Sequence, residues 1–373
     1  MPGTRREFLA RSASLAFSTS VCALLPDGLS AQTPADGRDV PWLREVLEPP
    51  PTFSAPSRPL APLLVDKDGR AITTLAEWYR RRTEIEKMWS DVLGSLELPR
   101  ARPPAVEVVE EDRVDDVVRQ RVRYQSEPDV DTEAYVLRPR ESRGPRPAAI
   151  VFHSTMPQSI RQPAGLADLS EKHFGLALAR RGFVAFCPRN FLWPETTRMA
   201  ADEETRAFRA RHPRARGMAK MLFDGQLAVD LLAVRADVDR RRIGCIGHSL
   251  GAKEALYLAA FDRRIKAAVS SEGGIGISMS NWDADWYLGH QVKDPGFARE
   301  HHELLALAAP RPFLLVGGDS ADGAASWPFV SAALAVYRLY GEPRRLGLLN
   351  HKKGHAVPPE IEPRLLEWLE TYV

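Results

Sequence analysis

The sequence predicts an α/β fold: a mostly parallel central sheet with helices on both faces, plus an N-terminal helical and extended arm. Two observations carry this. From residue 148 onward, near-continuous apolar runs alternate with helical stretches, the pattern of strands buried on both faces. Before residue 100 that alternation is missing; prolines crowd residues 32–66 and a single long helical stripe follows. With 373 residues, 44% apolar and 27% charged, the chain can bury a large core and has the composition of a soluble globular enzyme. The expected organisation is a leader over 1–31, an arm and amphipathic helix over 32–100, and a main domain over 101–373 with an insertion at about 191–216.

In chain order, "TTLAEWYRRRTEIEKMWSDVLGSL" (73–96) puts Leu75, Trp78, Tyr79, Ile85, Met88, Trp89, Leu93 and Leu96 on one helical stripe. Its Arg- and Glu-laced face points away, so the helix should pack on a larger body. Three alternating runs, "AVEVVEE", "VVRQRVRYQ" and "TEAYVLRP", read as strands separated by turns. The apolar strand "AAIVFHS" follows, then the helix "HFGLALARRG" stopped by Gly182, then the strand "FVAFCP". After the insertion comes the helix "AKMLFDGQLAVDLLAVRAD". The strand "RIGCIGHS", the helix "LGAKEALYLAAF" and the strands "IKAAVSS", "RPFLLVGG" and "RLGLLNH" complete the pattern. A final helix, 359–372, turns Ile361, Leu365, Trp368 and Leu369 inward.

The leader "TRREFLARSASLAFSTSVCALL" has Arg5 and Arg6, then Phe8 and Leu9, then a moderately apolar run ending near Pro26. It resembles a bacterial twin-arginine export signal with cleavage after Ala31, which implies a periplasmic or extracellular protein. The run is too short and too rich in Ser and Thr for a membrane anchor, which needs about 20 apolar residues. Cys22 falls in the leader; Cys187 and Cys245 lie on separate strands and are expected as buried thiols. Lys and Arg total 51 against 49 Asp and Glu, so no net field favours nucleic acid or an anionic membrane. The Arg-rich run 205–220 follows Asp202, Glu203 and Glu204 and reads as a solvated surface helix.

Gly247-His248-Ser249-Leu250-Gly251 is a G-x-S-x-G motif between a strand and a helix, where a tight turn presents a serine as nucleophile. The helix start beyond it favours negative charge, and the Leu250 N–H is one candidate oxyanion donor. A serine needs a base. His355, in the loop after the last strand, can reach back across the sheet edge; His351 ends that strand and is the lesser candidate. A second oxyanion donor is expected after "AAIVFHS", from the N–H of Ser154 or Thr155, although that run lacks the glycines usual there. For the acid that orients the imidazole, Asp319 and Asp322 follow the next-to-last strand, and Glu272 ends the strand before it. Two carboxylates can face one imidazole, one of them from behind. On the residues alone Glu272, Asp319 and Asp322 all stay open, with Asp322 nearer the usual offset.

The order Ser then His is that of the α/β-hydrolases. Residues 100–373 resemble the acetyl-xylan-esterase and dienelactone-hydrolase branches, in "DVDRRRIGCIGHSLGAKEA" and "RYQSEPDVDTEAYVLRP". The segment from Ser249 to "EGG" also resembles the glucuronoyl esterases, whose serine motif has a lysine four residues on and whose acid is a glutamate before a Gly-rich segment. Lys253 and Glu272 match these, so the resemblance favours Glu272 as orienter, with Asp322 as alternative or support; His248 and Leu250 depart from that family's cysteine and its oxyanion-binding arginine. The resemblance implies a serine carboxylesterase acting on carbohydrate esters, acetyl or glucuronoyl. It implies no cofactor, and as partner a small-molecule or carbohydrate ester. Rival readings are a prolyl-oligopeptidase-type peptidase, for which only about 100 residues precede the core, and a non-catalytic binding protein of the same fold. Trp282, Trp286 and Trp327 are candidate substrate-facing aromatics, and Lys253 a candidate contact to a hydroxyl or carboxylate. His301, His302 and Glu303 lack further ligands at useful spacing, so no metal is expected.

Overall fold

The computed structural model describes residues 37–98, 102–141, 144–167 and 172–373. The export-type leader and Ala31 lie outside the described residues. Nine strands form one sheet: β1 (Glu107–Val114), β2 (Val117–Glu127), β3 (Val130–Pro139), β4 (Arg146–Phe152), β5 (Val184–Pro188), β6 (Val238–His248), β7 (Ile265–Ser271), β8 (Phe313–Gly317) and β9 (Leu346–Asn350). Their order is β1-β2-β3-β5-β4-β6-β7-β8-β9. The first three run antiparallel, and β3 joins β5 antiparallel; from β5 to β9 every pairing is parallel. This is the mostly parallel α/β-hydrolase architecture the sequence predicts. Chain direction across the sheet reverses between β4 and β6, which makes the crevice at their C-terminal ends the expected ligand position.

Helices cover both faces. On one lie α2 (Leu75–Leu93), α5 (Gly217–Ala233), α6 (Leu250–Phe261), α7 (His302–Ala308) and α8 (Trp327–Leu339). On the other lie α1 (Leu43–Leu47), α3 (Phe174–Arg180) and α9 (Glu362–Tyr372). The insertion carries α4 (Ala201–Arg211), which exposes Arg206, Arg209 and Arg211 and buries Phe208. The parallel strands are buried along nearly their whole length, as their unbroken apolar sequences require. Helices α7 and α8 were not assigned from sequence, although Ser326 and Pro328 mark a helix start before the apolar spacing of Phe329, Val330, Ala333 and Leu334.

The N-terminal segment is built into the body. A capping box between Thr74 and Glu77 starts α2. Trp78, Ile85 and Trp89 are fully buried, and Trp89 Nε1 donates to Glu303 on α7 at 2.8 Å. Arg82, on the face expected to be solvated, is also buried and donates to Glu86 and to the Ala309 carbonyl. The preceding arm runs along the segment after β7: Arg58 donates to the carbonyls of Val292 and Phe297, and Ser57 meets Ser278. Cys187 and Cys245 are both buried and free. Among the described residues no helix is long and apolar enough to cross a membrane.

Candidate active site

Strand β6 ends at His248 and α6 begins at Leu250, leaving Ser249 alone on the turn with φ 58° and ψ −113°. A non-glycine residue in that region is strained, and here the neighbours fix it. Ser249 N–H donates to the Ser271 carbonyl at 2.8 Å. A side chain at Gly247 would collide with the Gly251 carbonyl, and one at Gly251 would come within 2.6 Å of the Phe152 carbonyl. Both glycines are therefore required by the closeness of the turn to α6 and β4.

Ser249 Oγ lies 3.0 Å from His355 Nε2, within hydrogen-bond reach. His355 sits in the loop after β9 and about half of its side chain is exposed. Its Nδ1 faces Glu272 Oε2 at 3.4 Å, an ion-pair distance that is long for a hydrogen bond. Glu272 follows β7 with φ 56°, and its N–H extends the β7–β8 ladder by donating to Val316. Its buried carboxylate accepts the backbone N–H groups of Gly318, Ala321 (2.6 Å) and Asp322 (3.2 Å). The loop after β8 thus grips the carboxylate of Glu272 from behind, while His355 approaches from the solvent side. His351 makes no contact with Ser249; its N–H donates to Gly317 and its Nδ1 accepts from Lys353 N–H.

Several expectations need correction. Asp322 does not face His355: its buried carboxylate accepts from Gly274 N–H at 2.7 Å, Ile275 N–H at 2.8 Å and Ser326 Oγ at 2.9 Å. It folds the glycine loop that follows Glu272, and burial raises its pKa. Asp319 is exposed and accepts from Ala324 N–H and the Asn350 amide. The Ser154 N–H is taken by Gln162 Oε1 at 3.0 Å, which leaves the Thr155 N–H of the two candidates. Leu250 N–H opens α6, where a helix leaves its amides without intrahelical partners.

Lys253, expected to reach substrate, is instead only 3% exposed. Its Nζ donates to the Gly273 carbonyl at 2.6 Å and to Ser280 Oγ at 2.8 Å, and lies 4.9 Å from the Trp282 ring centre. Burial lowers its pKa to about 8. Four residues after Ser249 is the same face of α6, but the glycine loop folds over that face and captures the ammonium. Trp282 is fully buried and donates from Nε1 to the Gly274 carbonyl at 2.7 Å. Trp327 is buried at the start of α8. Trp286 is half-buried against the core and is the one of the three with surface left.

His301, His302 and Glu303 are each held by protein partners: His301 by Tyr257 and the Ile275 carbonyl, His302 by the Ala61 carbonyl, Glu303 by Trp89 and Arg299. Among the described residues no cluster of His, Cys, Asp and Glu could hold a metal ion. The residues that sequence reasoning passed over are the supporting ones: Gln162, Ser271, Ser280 and the amides of the β8 loop. None carries a motif: Gln162 and Ser280 act through side chains that only the fold brings into reach, and the β8 loop through its N–H groups.

With this geometry in hand, the chain was compared with known proteins. The model of the dienelactone hydrolase family matches residues 132–295. YtaP of Bacillus subtilis, provisionally assigned as a hydrolase, is 27% identical over 303 residues, covering 78% of this chain and 100% of that protein. Among solved structures, a glucuronoyl esterase from Solibacter usitatus superposes with a TM-score of 0.68 at 16% identity, over 84% of this chain and 98% of that one. A Bacteroides fragilis protein provisionally assigned as an acetyl xylan esterase gives a TM-score of 0.60 at 14% identity, over 83% and 92%. These similarities establish the fold.

Proposed function

We propose that this chain, which carries a dienelactone hydrolase family domain, is a serine esterase acting on carbohydrate esters. The observation that carries the reading is the run of three groups from Glu272 through His355 to Ser249 at the sheet edge, at 3.4 and 3.0 Å. Ser249 Oγ attacks the ester carbonyl carbon as its proton passes to His355 Nε2. The carbonyl oxygen becomes an oxyanion that accepts hydrogen bonds from the N–H groups of Leu250 and Thr155. When the tetrahedral intermediate collapses, the C–O bond to the alcohol breaks, and His355 returns the proton to the leaving alcohol. Water then gives a proton to His355 and attacks the acyl-serine, releasing the acid and regenerating Ser249. Glu272 holds the imidazole with Nε2 toward Ser249 and stabilises the imidazolium.

The carbohydrate assignment is supported by the relatives, a glucuronoyl esterase and a provisional acetyl xylan esterase among them. The twin-arginine-type leader supports export to the periplasm or beyond. Steady-state kinetics on acetylated xylo-oligosaccharides, methyl glucuronate esters and prolyl peptides test the reading. Ester turnover that is lost in Ser249→Ala is the expected result; preferred cleavage of the peptides would overturn it.

A further inference from the structure

Immediately before the nucleophile stands His248, a residue the proposed mechanism leaves unused. It is 2% exposed, and its ring centre lies 4.9 Å from that of His355 with the planes inclined by 58°. Its Nδ1 is 3.1 Å from Ser271 Oγ, on the strand paired with β6, where His248 and Ser271 are register partners. The next residue after Ser271 is Glu272. One ring therefore touches the strand of the nucleophile, the strand of the acid and the ring of the base.

We infer that His248 is a positioning residue for His355: its ring, anchored on Ser271, backs the base and favours the imidazolium that forms during the reaction. The inference rests on the esterase reading above. An aromatic face within about 6 Å attracts a cation, provided the face itself is uncharged. The surroundings keep it so. Burial pushes the His248 pKa well below the usual range, and Lys172 from the turn before α3, with His355 and His351 from the loop after β9, adds positive charge against its protonation, outweighing a hydrogen bond to the His355 backbone that favours it. A second imidazolium would repel the first; a neutral ring supports it. Position 248 thus combines an aromatic ring tilted against that of His355 with a polar atom toward Ser271.

Two substitutions separate these parts. H248N retains a polar atom near Ser271 and removes the ring; H248F retains the ring. For H248N the expected kcat is about five- to ten-fold lower, with KM within about twofold. H248F is expected to restore kcat to within about threefold of wild type. Equal loss of kcat in both variants, or none in either, overturns the inference. If H248N does not fold, H248L reads the same role, since it fills the site without a ring; an unchanged kcat there also overturns it. Labelling of wild-type Ser249 by a fluorophosphonate is measured alongside. Absence of that label sinks the esterase reading itself, whereas a labelled wild type with no His248 effect sinks only this inference.

Discussion

Replacing Lys253 with methionine tests whether the buried ammonium touches substrate or holds the acid. Methionine has nearly the same length and no charge. The change removes two hydrogen bonds from a cationic donor, worth about 1.5–3 kcal/mol each, together with the contact to Trp282. Against this, burial has already lowered the amine to about 8 from an ordinary 10.5, so the charged form carries a penalty of about 3 kcal/mol that the variant escapes. The bonds total about 3–6 kcal/mol against that penalty of about 3, so the unfolding free energy should fall by about 0–3 kcal/mol. Catalysis should change more. The Gly273 carbonyl is the next group along the chain from Glu272, and losing its anchor lets the acid drift from His355. A displacement of a fraction of an ångström costs about tenfold in kcat. Steady-state kinetics on one ester, with thermal unfolding as control, reads the outcome: lower kcat with KM within about twofold. A large rise in KM at unchanged kcat would show that Lys253 reaches substrate and would refute the reasoning. The pH dependence gives a second check. Between the folded value near 8 and the unfolded value near 10.5 the unfolded chain binds more protons, so wild-type stability should rise with pH relative to Lys253→Met.

Asp322→Asn should cost about 1–3 kcal/mol of stability, because the amide cannot accept both the Gly274 and Ile275 N–H groups; urea unfolding measures it. Its kcat at low temperature should fall far less than that of Glu272→Gln. For Glu272→Gln a loss on the order of 100-fold or more is expected, since it disturbs the imidazole tautomer directly. Gly251→Ala should abolish activity or folding, since the added carbon would stand 2.6 Å from the Phe152 carbonyl; circular dichroism and activity separate the two. At the far end of β2, Glu127 is buried against Lys220, His212 and Arg211, and these partners overcome burial and lower its pKa to about 2. A depressed carboxylate stabilises the fold above its unfolded pKa of 4.5 and loses that contribution as pH falls toward 2. Glu127→Gln should therefore flatten the acid limb of a stability-versus-pH curve by about 2–3 kcal/mol.

Much of the fold was legible because the parallel strands are buried on both faces and must be written as unbroken apolar runs. The elbow was legible for a similar reason: Gly247 and Gly251 occupy positions where a side chain would strike backbone. Glu272 stood out as a charge at the end of a buried strand, a place that demands a partner. Telling it from Asp322 required the tertiary structure. Both lie after neighbouring strands at the same sheet edge, and only the fold of the loops turns one carboxylate toward His355 and the other toward the amides of Gly274 and Ile275. Helical spacing placed Lys253 on the face of Ser249 but could not reveal that "GGIG" closes over it. Trp282 and Trp327 misled for the same reason, since a ring that braces a loop and one that lines a cleft have the same sequence signature. Helices α7 and α8 were passed over because their apolar residues continue the buried pattern on either side without a clear polar face.

The central claim, that Ser249 is a nucleophile activated by His355, is tested most directly by reacting the folded protein with a fluorophosphonate and mapping the adduct by mass spectrometry. The account expects one adduct, on Ser249, formed in the wild type and slowed in both His355→Ala and Glu272→Gln. An adduct on another residue, or a rate on Ser249 indifferent to the loss of His355, would contradict it.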